Sequence, residues 1–213
     1  MRRTIQERLT DAEVVITNSL DDAEIAAALA VYNFTTERIQ GGKTILDSAR
    51  EAVNKQRIEY GEQYDATETV NSARNAVDKK YQVTLKIARI ALKDNTAAQT
   101  AMMLTGRRKE TLTGWLEQTK AFYDNLLNNS DWLTAMANYG FTPERLAEER
   151  NLVNSVEEAR HKQLKEIGEA QDATEKRDDS METLDAWMAE FRQIAVIALT
   201  DNPQWLEKLG IKA

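Results

Sequence analysis

Apolar side chains recur every three or four positions along most of this chain, which is the spacing of one face of an α-helix. Two long stretches, near 36–60 and 66–93, keep that spacing, and so do shorter stretches such as 4–18. Only two prolines and eight glycines interrupt the sequence, which disfavours a β fold rich in turns. The pattern therefore predicts an all-α protein.

The sequence also repeats itself at an offset of 107 residues. Segments 61–68 and 168–175 share Gly, Glu, Asp, Ala, Thr and Glu in the same order. The same offset relates Tyr32 to Tyr139 and the segment around Ile90 to that around Ile197, without a gap. Self-similarity over a whole half-chain predicts two tandem copies of one helical unit, at 1–106 and 107–213.

The repeated octapeptide predicts a turn between two long helices. Gly61 and Gly168 suit the left-handed residue that follows a helix, and Asp65 with Glu68 matches the N-cap and N3 positions of a capping box. One long helix with an internal glycine is the alternative, at a cost of only about 1 kcal/mol. We expect the turn. Each copy then has about five helices built on a long antiparallel helix hairpin, and the two copies pack together because no flexible linker separates them.

Helix boundaries elsewhere have clearer signals. Thr4 and Glu7 predict a capping box at the start of the first helix. Asn33 and Gly140 occupy equivalent positions before the third helix of each copy, and both residue types tolerate the left-handed conformation. Trp115 stands where the first copy has Arg8, which predicts that this helix face is buried in the second copy and open in the first.

Composition narrows the function classes. The chain has no cysteine, which excludes disulfides and thiolate zinc sites. The net charge is −7, most of it in the second copy, which disfavours binding to a phosphate backbone. No apolar run approaches the roughly 20 residues of a membrane span. We therefore expect a cytoplasmic protein with neither nucleic acid nor membrane among its partners.

A repeated polar group lies on the long helices and forms the main candidate for a ligand site: Lys55, Gln56, Glu59, Lys162, Gln163 and Glu166. Gln56 and Gln163 fall on the apolar seam, where a buried amide must find hydrogen-bond partners. They could line a polar site, but we favour a structural role in which each amide sets helix register. The repeated Asp78 and Asp185 are candidates for the same polar network.

Metal binding has one weak candidate. Glu158 and His161, the only histidine, have the Glu-x-x-His spacing that places two ligands on one helix face in di-iron bundles. The first copy has Asn54 at the position equivalent to His161, so a symmetric centre is not expected. No cofactor motif is present, and no cofactor or catalytic residue is predicted.

These observations favour a non-catalytic helical interaction or scaffold protein, formed by internal duplication, that binds a protein partner or itself. The alternative is a bundle that binds a small ligand or a metal through the polar residues of its long helices. A weaker alternative is nucleic-acid binding at the copy junction, where Arg107, Arg108 and Lys109 form the only notable basic cluster.

Overall fold

The computed structural model describes residues 3–211. Among them are α-helices and no strand, so the all-α prediction is confirmed. The helices are α1 (Ile5–Asp21), α2 (Ala23–Ala30), α3 (Thr36–Ala91), α4 (Thr96–Ala101), α5 (Leu112–Leu127), α6 (Ser130–Ala137), α7 (Pro143–Ala198) and α8 (Pro203–Lys208). In this described range, no helix is both long and apolar enough to cross a bilayer.

The helix order of the first half recurs in the second half. Helices α2 and α6 both have 8 residues, α3 and α7 both have 56, and α4 and α8 both have 6. Each half therefore has four described helices, not the five predicted. The prediction fails because the expected third and fourth helices are one continuous helix.

The predicted turn at Gly61 is wrong, because α3 continues through this residue. Ala66 and Val70, which follow the glycine, are buried and continue the three- and four-residue spacing of the buried positions that precede it. The Thr67 hydroxyl donates to the carbonyl of Gln63 at 2.9 Å, a bond made inside a helix. The apolar stripe therefore outweighs the local signals of a helix end.

The predicted turn at Gly168 is wrong for the same reason. Gln163, Glu166, Ala170 and Ala173 are all buried and follow one another at spacings of three or four, while Gly168 itself is exposed. A turn here would break the phase of this face and expose part of it to water. The long antiparallel hairpin predicted within each copy is consequently not formed.

Alanine at these glycines tests the continuous helices directly. A Cβ atom would meet nothing within 4 Å at Gly61 or Gly168, so each replacement should raise the free energy of unfolding by about 1 kcal/mol. Urea unfolding followed by circular dichroism measures this. Gly140→Ala is the matched control and should destabilise, because Gly140 has a φ of +78°. Destabilisation by Gly61→Ala would contradict a helical Gly61.

The chain forms two compact units. The first unit contains the residues up to Gly61 and those from Gly168 on, and the second unit is Glu62–Ile167. Each unit thus takes one part of α3 and one part of α7, and neither unit coincides with a sequence copy. The copy boundary after residue 106 stays a prediction about the sequence.

The core of the first unit is formed by α1, α2, the first part of α3, the last part of α7 and α8. An aromatic cluster lies at its centre: the ring of Phe34 is 5.5 Å from that of Phe191 and 6.2 Å from that of Trp187, centroid to centroid. Gly42 is buried under the indole, and a Cβ atom there would lie 2.2 Å from the Trp187 ring. Only glycine therefore fits this position without movement of the indole.

The core of the second unit has a different aromatic cluster. The rings of Phe122 and Tyr123 are 4.9 Å apart, and the ring of Tyr81 is 5.4 Å from that of Phe122. All three side chains are almost fully buried. Burial of rings of this size is a large hydrophobic contribution in each unit.

Several predicted helix ends are confirmed. Thr4 and Glu7 form the reciprocal capping box that starts α1. Asn33 and Gly140 have φ values of 63° and 78°, so both equivalent positions adopt the left-handed conformation. These local signals are reliable because they depend on neighbouring residues alone.

Candidate functional site

The structure divides the predicted site residues between the two units. Lys55, Gln56 and Glu59 lie on the α3 part of the first unit, where Lys55 is exposed and the other two are half-buried. Their sequence equivalents lie on the α7 part of the second unit: Lys162 is exposed, and Gln163 and Glu166 are buried.

Gln163 has the partners that a buried amide requires. Its Nε2 donates to the hydroxyl of Thr67 on α3 at 3.0 Å, and its Oε1 accepts from Arg160 Nη1 at 2.6 Å. The bond to Thr67 joins α7 to α3 within the second unit, so a shift in register would leave the amide unsatisfied. This geometry supports the structural reading of Gln163.

Glu166 behaves differently from its neighbour. Its side chain is 7% exposed, yet it forms no hydrogen bond or ion pair with any described residue. It lines a cleft of about 260 Å³ in the second unit. The other residues of this cleft are Glu62, Asp65, Ala66, Thr69, Ala159 and Lys162. Two of the predicted site residues, Lys162 and Glu166, thus meet at one cleft.

The metal candidates are both on the surface of α7, since Glu158 and His161 are exposed. Neither residue belongs to a described group of three acidic or histidine side chains whose ligand atoms lie within 4.8 Å of one another. A structural zinc site needs four ligands that converge on the ion. The pair stays a prediction.

Sequence reasoning missed a buried carboxylate in the second unit. Glu149, 5% exposed, accepts hydrogen bonds from Thr84 Oγ1 at 2.5 Å, from the Tyr123 hydroxyl at 2.8 Å and from Arg145 Nε at 3.3 Å. Burial raises the pKa of Tyr123 far above its usual value, and the neighbouring Glu149 charge adds to that increase. These three donors hold the carboxylate in place between α3, α5 and α7.

The first unit has no such network at the equivalent positions. Gly42, Phe191 and Ile16 stand 107 residues from Glu149, Thr84 and Tyr123, and all three are buried. Comparison of the two copies at this position is the signal that could have revealed the site, because a glycine and a glutamate occupy one buried helix position.

Asp78 and Asp185 are not hydrogen-bonded to the seam glutamines. Asp78 Oδ1 accepts from the indole Nε1 of Trp115 at 2.6 Å, and Asp185 Oδ1 accepts from Arg8 Nε at 3.0 Å. Trp115 is 4% exposed, as predicted for that helix face in the second copy. In the first unit Arg8 lines an open cleft of about 540 Å³, so one aspartate position binds a different donor in each unit.

The basic cluster at 107–109 is engaged by neighbouring groups of the second unit. Arg107 pairs with Glu110 at 2.7 Å, and Lys109 pairs with Glu117. Arg108 Nη2 donates to the carbonyl of Met103 at 2.5 Å and to that of Thr105 at 2.8 Å. These contacts are those of a structured connector between α4 and α5.

Comparison with known proteins found no matching family model, no matching curated protein and no matching solved structure.

Proposed function

We propose that the chain is a non-catalytic helical interaction or scaffold protein, formed by internal duplication, that associates with itself. The recurrence of helix order and helix length between the two halves supports the duplication. The two halves have the same helices but different buried polar groups. This is expected if the shape of the unit, and not a particular polar site, has been retained. The Glu149 network of the second unit has no counterpart in the first.

The observation that carries this proposal is that an isoleucine and a tyrosine are exposed at equivalent positions of the two units. Ile90 and Ile197 are both 53% exposed, and Tyr32 and Tyr139 are 44% and 49% exposed. The residues of each pair are 107 positions apart in the sequence. Exposed large apolar residues are individually unremarkable, but their presence at equivalent positions supports a shared role in association.

Self-association should weaken when both isoleucines are replaced. In Ile90→Ser/Ile197→Ser, we expect the concentration at half-association to rise at least about tenfold, because each half-exposed isoleucine loses apolar area that association would bury. Sedimentation velocity over a concentration series measures this change. Lys86→Ser/Gln193→Ser, at exposed positions of the same two helices, is the control and should associate as the wild type does.

Two outcomes would contradict the proposal. The wild-type chain could keep the mass of a single chain at every concentration, or the isoleucine variant could associate as strongly as the wild type. Circular dichroism of both variants checks that any change in association does not come from a loss of helix.

A further inference from the structure

We propose that the first half of this chain (residues 1–106) and the second half (107–213) are specific binding partners, so that the first half of one molecule can bind the second half of another. Each compact unit is built from both halves. The first unit joins α1, α2 and the start of α3 to the end of α7 and α8. This inference concerns buried contacts inside the units, so it does not depend on the exposed isoleucines.

The contacts that hold each unit together run between the halves. In the second unit, Gln163 donates to the hydroxyl of Thr67 at 3.0 Å. In the first unit, the rings of Phe34 and Phe191 are 5.5 Å apart. The covalent link between the halves is the segment 102–111, which connects α4 to α5. The same buried contacts would form if the partner half came from another molecule, as in domain swapping.

A glycine beneath an indole prevents two second halves from pairing. A Cβ atom at Gly42 would lie 2.2 Å from the Trp187 ring. In a pair of second halves, Glu149 would take the place of Gly42, since the two are 107 residues apart, and its side chain has no room there. Its carboxylate would also meet Phe191 where it now accepts from Thr84. Loss of a donor to a buried carboxylate is unfavourable.

Two first halves would pair poorly for the opposite reason, because too little would fill the core. Lys80 would replace Trp187, and Thr84 would replace Phe191, at the same offset of 107 residues. Phe34 would then lose both of the rings against which it packs. An unfilled cavity in a core lowers stability. Pairing of unlike halves is therefore favoured both by its own contacts and by the defects of the two like pairs.

Cleavage of the folded full chain tests this pairing. A protease recognition sequence inserted after Gly106, which is exposed and has open space beside it, allows the link to be cut. We expect the cut halves to stay together in gel filtration at micromolar concentration. Cut protein labelled with heavy nitrogen is then mixed with unlabelled cut protein, unfolded in urea and refolded by dilution. Native mass spectrometry should show mixed pairs that combine halves from different molecules, at least about tenfold more abundant than either like pair.

Glu149→Gly tests the source of the specificity, because it gives the second half the glycine that the first half has at Gly42. We expect pairs of second halves to become at least about tenfold more abundant than in the wild type, since the indole would then have room. Glu148→Gly is the matched control: it places a glycine in the same helix at the adjacent exposed position, with a similar helix cost. It should leave the distribution of pairs unchanged. Circular dichroism checks that each variant refolds.

Several results would overturn the proposal. They are separation of the halves after cleavage, like and mixed pairs in comparable amounts, no pairs with mixed labels, or the same distribution for Glu149→Gly and Glu148→Gly. If Glu149→Gly does not refold, Lys80→Trp provides the indole that the first half lacks opposite Gly42. Pairs of first halves should then increase relative to the control Lys79→Trp, whose position is also exposed, and equal amounts would refute the proposal.

Discussion

Phe34→Ala is expected to lower the free energy of unfolding by about 4 kcal/mol, because removal of a buried phenylalanine typically costs 3–5 kcal/mol. The Phe34 ring is fully buried and lies edge-on to Phe191 at 5.5 Å between centroids. The guanidinium of Arg38 covers the same ring at 4.1 Å. Truncation would leave a cavity between α3 and α7 within the first unit. Urea unfolding measures the loss, and hydrogen exchange of the α3 and α7 amides near this cavity locates it.

Phe141→Ala is the matched variant, because Phe141 occupies the equivalent corner of the second unit. Its ring lies under Arg145 at 3.8 Å but packs against no other ring among the described residues. Aromatic pairs add about 0.5–1.5 kcal/mol beyond area burial, so Phe141→Ala should cost about 1 kcal/mol less than Phe34→Ala. Equal losses, or a Phe34 loss below about 2 kcal/mol, would show that the aromatic cluster of the first unit contributes little.

The long helices show which sequence signals were reliable. The apolar positions predicted before and after Gly61 are buried or half-buried with few exceptions. Their helical phase continues across the glycine. The predicted turn rests on one glycine and an Asp-x-x-Glu pattern, and these two signals are weaker than the continuous helical phase. A helical glycine costs about 1 kcal/mol, whereas a change of direction would have exposed buried positions such as Ala66 and Val70.

The division into two units could not be predicted from the sequence, for a related reason. Helix type and length follow from local periodicity, but which segments share a core depends on contacts between residues far apart in the chain. Residues 9 and 184 both lie in the core of the first unit, and no local pattern links them. The prediction that each copy folds around its own hairpin depends on the predicted turns at Gly61 and Gly168.

The candidate site was predictable only in part. Burial of Gln163 follows from its place on the apolar seam, whereas the periodicity does not predict the burial of Glu166. Whether such a group has a partner depends on the opposite helix: Thr67 faces the amide of Gln163, and nothing comparable reaches Glu166. Glu149 was not predicted, because its burial depends on partners that lie far from it in the sequence, Thr84 and Tyr123.

Glu149→Leu is expected to lower the free energy of unfolding by about 2–3 kcal/mol. The carboxylate accepts the hydrogen bond of the Tyr123 hydroxyl, whereas Thr84 also donates to the carbonyl of Lys80 at 3.2 Å. A buried donor left without an acceptor costs about 1–3 kcal/mol, and the hydrogen bonds lost here are to a charged group. Arg145, whose side chain is 47% exposed, can turn to water. Urea unfolding followed by circular dichroism gives the loss.

The first unit suggests how this loss can be reversed, because it fills the equivalent positions with apolar groups. In the triple variant Glu149→Leu/Tyr123→Phe/Thr84→Val, no hydroxyl is left without an acceptor, and replacement of all partners by apolar groups of similar shape is often nearly neutral. We therefore expect the triple variant to unfold within about 1 kcal/mol of the wild type. Recovery would show that the network costs as much in desolvation as its hydrogen bonds contribute. If the three replacements instead add up to a larger loss than Glu149→Leu alone, the hydroxyls stabilise the core through contacts other than those with Glu149.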